Sequence, residues 1–114
     1  MKQQVMASMV TTAALLLATS VGAQTPAGVA AGNATEGAKK NSMCIGCHGI
    51  EGYKTAFPEV YSVPRIGGQH PAYFVKALQA YKSGDRKHPS MVGIAATLSD
   101  KDMADLAAYY GKAK

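Results

Sequence analysis

The chain has no tryptophan, only two phenylalanines and only two cysteines. Bulky apolar side chains are few, so the polypeptide alone has little from which to build a core. A domain of this size buries only ~60–65% of the surface that its unfolded chain exposes. The two thiols are three positions apart and leave no third to pair with. No second Cys or His pair completes a four-ligand zinc set. The remaining histidines, His70 and His88, each precede a proline. No strand-rich run supplies the βαβ setting that a thioredoxin-like dithiol wants. Charge is missing altogether from Gln3 to Thr35. The apolar stretch from Val5 to Val21 is 17 residues with several hydroxyls, short of the ~20 that a membrane span needs. No Arg-Arg pair precedes it, which argues against twin-arginine export.

What this front segment does contain reads as a secretory signal. Lys2 supplies the positive start, Leu15-Leu16-Leu17 sits in an apolar centre, and Val21-Gly22-Ala23 is a small-residue cleavage site. The expected division is therefore a signal over 1–23 cleaved after Ala23, a mobile Ala/Gly/Pro-rich terminus over 24–32, and one domain over 33–114. Losing Lys2 takes the formal charge from +5 to +4. That balance suits steering towards an acidic protein face and argues against nucleic acid. The expected location is periplasmic, with peripheral or no membrane contact.

The densest chemistry lies in Cys44-Ile45-Gly46-Cys47-His48. C-x-x-C-H is the attachment signature of c-type haem. Two thiols at this spacing reach the two vinyl groups of one porphyrin, and the adjacent His48 offers an imidazole to the iron. A plain disulfide or redox dithiol and a metal site are the rival readings. One covalent haem would also supply the flat apolar core that the composition lacks.

The chain around the motif reads as helices and loops. Asn33-Ala34-Thr35-Glu36 has the form of a capping box, starting a helix that should run to about Met43. Gly37 inside it costs ~1 kcal/mol relative to Ala, which a close helix–helix contact would explain. Residues 49–68 hold four glycines and two prolines and read as a long loop. Pro71 suits a first helical turn; Phe74, Ala77, Leu78 and Tyr81 then share a face, and Gly84 ends the helix. A basic loop, Asp85 to Ser90, leads to Met91. Ser99 and Asp102 cap a last helix with the stripe Met103, Leu106, Ala107 and Tyr110, stopped by Gly111. The expected fold class is all-α, three or more helices with long loops wrapped around one haem.

A haem iron held by one imidazole needs a sixth ligand or stays open. Met91, flanked by Ser90 and the small Gly93 and placed in a loop, is the first choice. His88 and His70 are chemically good rivals. Met103 falls on a packing stripe, and Met43 adjoins Cys44.

These pieces resemble class I c-type cytochromes, more closely the small bacterial periplasmic monohaem ones, over roughly Asn33 to Lys114. Gly37, seven residues before the motif, resembles the small residue where first and last helices cross. Pro64-Arg65-Ile66-Gly67-Gly68-Gln69 resembles the segment whose proline carbonyl accepts a hydrogen bond from the proximal imidazole, which implies that role for Pro64 towards His48. Arg86 followed by Met91 resembles the approach to the axial ligand, with Arg86 a candidate contact for a haem propionate. Lys40 departs from the pattern, standing where relatives place a large apolar residue.

The resemblance implies a cytochrome c fold and an electron carrier, not an enzyme. Cys44 and Cys47 would bind haem c, His48 and Met91 would ligate iron, and redox proteins would be its partners. Candidate cations for a basic docking rim are Lys39, Lys40, Lys54, Lys76, Lys82, Arg86 and Lys87, and no large apolar surface run is expected. The alternative is a dedicated cytochrome subunit of a periplasmic dehydrogenase. An open-iron enzyme or gas sensor is disfavoured, because four-helix cytochromes carry C-x-x-C-H near the C-terminus.

Overall fold

In the computed structural model, residues 31–57 and 59–112 are described. The signal expected over 1–23 and nearly all of the terminus over 24–32 lie outside them. Five helices follow in order: α1 (Ala34–Lys40), α2 (Ser42–His48), α3 (Pro71–Ser83), α4 (Pro89–Ala96) and α5 (Asp100–Tyr110). Between α2 and α3 runs a two-stranded antiparallel ladder, β1 (Lys54–Thr55) and β2 (Tyr61–Ser62), pairing Lys54 with Ser62 and Thr55 with Tyr61. The all-α reading holds, with this short ladder inside a stretch that reads as loop from its glycines and prolines.

The first helix is shorter than its pattern. Asn33 caps α1 by accepting from the Thr35 and Glu36 N–H groups at 2.9 and 3.3 Å. The box does not close, because Glu36 pairs with Lys39 at 2.8 Å and the Asn33 N–H donates to Asp105 of α5 at 2.8 Å. The chain then turns at Asn41, whose carbonyl accepts from Cys44 and Ile45 at 2.8 and 2.9 Å. A separate helix, α2, thus carries the whole motif. The other caps follow the residues expected. Ser99 and Asp102 form a reciprocal capping box on α5, and Gly84 ends α3 at φ 87°, a left-handed conformation that glycine adopts without strain.

A second correction concerns Met91. It lies within the first turn of α4, not in a loop. Pro89 in a basic, polar stretch looks like a loop marker, yet its fixed φ and missing N–H suit the first position of a helix. The chain therefore turns helical two residues before the methionine.

The core forms where α5 packs against α1 and α3, with α4 against α3. Phe74, Val75, Leu78, Leu98, Met103, Leu106, Ala107 and Tyr110 make one buried cluster, edged by Cys44, Ile66, Met91 and Tyr109. The α5 stripe is buried as its spacing requires. On α3 the buried residues are Phe74, Val75 and Leu78, while Ala77 and Tyr81 are half-buried. Gly37 is buried on α5, and a Cβ there would collide with the Asp105 carbonyl. The close crossing of α1 and α5 therefore excludes any side chain at this position.

Candidate haem-attachment site

Cys44, Cys47 and His48 stand at i, i+3 and i+4 of α2, the spacing that places side chains on one helix face. All three are half-buried, and both cysteines are free thiols. Cys44 reaches the edge of the core cluster, and burial there pushes its thiol pKa up. The His48 Nδ1 lies 2.5 Å from the Pro64 carbonyl oxygen. With the proton on Nδ1, the imidazole donates to that carbonyl and keeps the Nε2 lone pair for another partner. Two backbone bonds steady the Pro64 segment. Val63 donates to the Tyr53 carbonyl at 2.9 Å, and Gly68 donates to the Tyr110 carbonyl at 2.8 Å.

The candidate sixth ligands separate by burial and contact. Met91 is half-buried and packs on the same cluster that Cys44 borders. Met103 is fully buried inside that cluster, and Met43 is exposed. His70 is exposed at the start of α3. His88 is half-buried ahead of α4, with its ring tilted against Tyr61 at 5.2 Å. Arg86 is exposed, its guanidinium 4.7 Å above the Tyr81 ring. Among the described residues no three His, Cys, Asp or Glu side chains converge, so the Cys pair and His48 gain no further ligand of those types.

Among the described residues two buried side-chain polar atoms lack a hydrogen-bond partner, His88 Nδ1 and the Tyr110 hydroxyl. An unpaired buried polar group costs about 1–3 kcal/mol, so each points to something beyond the polypeptide. Burial, then the nearby Cys44 sulfur, push the Tyr110 hydroxyl pKa up to about 12. His88 is three residues from Met91. A large apolar ring with a few polar groups at its rim fits this setting. The residues present therefore suit a covalently attached haem.

Most of the expected basic rim is otherwise engaged. Lys39 pairs with Glu36, and Lys40 bridges Asp102 and Asp105 at 2.7 and 2.8 Å. The Lys82 ammonium donates to the Leu98 carbonyl. Lys54, Lys76 and Lys87 make no ion pair among the described residues. Large apolar groups are more exposed than the helix pattern implies: Phe57 is 81% and Val60 74% exposed around the ladder. The unpaired His88 and Tyr110 atoms escape a reading by pattern, although a tyrosine on a buried stripe always raises the question of where its O–H goes.

A cytochrome c family model matches residues 34–113. The chain belongs to the cytochrome c family. Cytochrome c-554(548) of Halomonas halodenitrificans is 40% identical over 83 residues, 70% of this chain and 95% of that protein. Cytochrome c4 of Pseudomonas aeruginosa is 38% identical over 85 residues, 75% of this chain but 40% of that one. A crystal structure of cytochrome c4 from Pseudomonas stutzeri superposes with a TM-score of 0.56 at 30% identity, covering 75% of this chain and 53% of that chain. The chain thus spans about half the length of the c4 proteins it matches. Its fold is the all-α cytochrome c fold, and family membership indicates covalently bound haem c. No helix among the described residues is long and apolar enough to cross a membrane.

Proposed function

We propose that this cytochrome c is a periplasmic one-electron carrier holding a single haem c. Thioethers from Cys44 and Cys47 attach it, and His48 and Met91 ligate its iron. The observation that carries this reading is the shared face of Cys44, Cys47 and His48 on α2, with the His48 Nδ1 held by the Pro64 carbonyl. When bound, haem supplies a ferrous/ferric couple whose potential is raised by a thioether ligand.

The chain's own residues do the rest. Pro64 fixes the His48 tautomer and ring orientation and raises its basicity. Met91, in the first turn of α4 and at the edge of the core, offers a soft sulfur donor. Phe74, Leu78 and Leu106 make the neighbouring core surface apolar. With His48 and Met91 both held by it, the iron would keep no open position for a substrate, so the chain would pass electrons and make no bonds. Its partners are redox proteins. Export by the 1–23 signal, with cleavage after Ala23, puts it where haem attachment follows translocation.

The ligand set is tested by the optical spectrum of the oxidised protein. A weak near-infrared charge-transfer band is expected from a thioether on ferric haem, and Met91→Leu should abolish it. Retention of that band in Met91→Leu, with loss in Met103→Leu or Met43→Leu, would contradict the assignment. The exposed Phe57 and Val60 favour a second reading, a dedicated subunit with a permanent interface. Gel filtration of the native protein separates the two, since a shuttle runs free of its donor.

A further inference from the structure

His88 is held in an unusual setting for a histidine before a proline. Its carbonyl accepts from the Val92 N–H at 2.9 Å, which fixes its backbone at the start of α4. Its side chain does not cap that helix. Instead Nδ1 is buried with no partner, and the Tyr61 ring lies over the imidazole with centroids 5.2 Å apart and planes at 58°. Tyr61 belongs to β2, so the ladder packs against the His88 ring. Among the described residues no carboxylate pairs with His88. Glu36, Glu51, Asp85, Asp102 and Asp105 bond elsewhere.

With its proton on Nδ1, this buried imidazole is a donor that asks for an acceptor carried by what binds there. On the haem reading above, on which this inference rests, that acceptor has a definite chemistry. Porphyrin is apolar except for its two carboxylates. A neutral imidazole N–H and a carboxylate make a charge-assisted hydrogen bond, roughly twice as strong as a neutral one, and a dry surrounding strengthens it further. Arg86, two residues earlier, is exposed and stacked on Tyr81, so water screens it far more.

We propose that His88 is a positioning residue whose Nδ1–H holds a carboxylate of the attached haem. That bond ties the ladder, through Tyr61, and the start of α4 to one edge of the cofactor. It also disperses negative charge near the iron, which favours the ferrous state.

The test uses the exported holoprotein with His88→Ala and His88→Asn. Covalent haem staining is read first. A wild-type chain without covalent haem overturns the haem reading and this inference with it. With haem present in all three, His88→Ala should lower the midpoint potential, and His88→Asn, whose amide can donate, should restore most of the shift. The near-infrared band should persist in each. An unchanged potential in His88→Ala overturns the inference while the haem reading stands. So does a potential that His88→Asn fails to restore, or loss of the band on replacing His88, which would make it a ligand.

Discussion

Cys44, Cys47 and His48 acquire their relation from helix geometry alone, since i, i+3 and i+4 side chains stack on one face. Replacing either cysteine by serine should leave one thioether and a weaker haem stain after denaturation. The double Cys→Ala chain should lose the haem and, with it, most of its helix by circular dichroism. Ordering costs ~1–2 kcal/mol per residue, and a chain with no tryptophan and two phenylalanines has little apolar area to offset this. A cooperative, native-like melt of that variant would contradict the argument. Gly37 is the other position where one atom decides. Gly37→Val forces a side chain into the Asp105 carbonyl and should cost about 3 kcal/mol or more by overpacking, read as a lowered thermal midpoint of the holoprotein.

Between elements, charge as well as the close Gly37 crossing joins α1 to α5. Asp105 is fully buried and accepts from the Asn33 N–H, Lys101 and Lys40, each at 2.8 Å. Those bonds hold its carboxyl well below the usual range, and Lys40, then Ser99, do the same for Asp102. Lys40 is raised in turn by Asp102 and Asp105. A depressed carboxylate stabilises the fold at every pH above its unfolded value, here 3.8, and loses that contribution as pH falls further. Acid denaturation should therefore set in below about pH 4, and Asp105→Asn should lower the thermal midpoint at pH 7 while flattening its fall below pH 4. A melting point independent of pH down to 2 would show that the cluster contributes nothing.

This latch explains what the sequence could and could not say. The stripe of α5, the Gly37 crossing and the caps at Ser99 and Gly84 were legible because each depends on local spacing or backbone conformation. So was the motif. Lys40 was legible only as a departure, because its partners lie more than sixty residues away. Met91 is legible as a candidate ligand but its helical backbone is not, since Pro89 signals a loop and a helix start equally well. The ladder at residues 54–62 carries two residues per strand, too few for any alternation to show. The buried His88 and Tyr110 atoms depend on tertiary neighbours and left no periodic trace.

For the whole molecule, Lys54, Lys76 and Lys87, none of which makes an ion pair among the described residues, and the net charge of +4 that cleavage after Ala23 would leave suit transient docking to an acidic partner. Transient redox encounters bury under ~1,200 Å², and attraction between charged faces is screened over ~10 Å at 0.1 M salt. Reduction by the physiological donor should slow as ionic strength rises. Lys76→Glu should slow it further with little change in potential. Lys82→Glu is a poorer probe, because its ammonium also holds the Leu98 carbonyl. A salt-independent rate with a complex that survives gel filtration would favour the permanent subunit. Whether one haem is held by two thioethers on one short helix is decided by the intact mass of the exported protein after acid-acetone extraction. The expected mass is that of a chain beginning at Gln24 plus a single haem. A chain of bare polypeptide mass, with Cys44 and Cys47 either free or joined to each other, would contradict it.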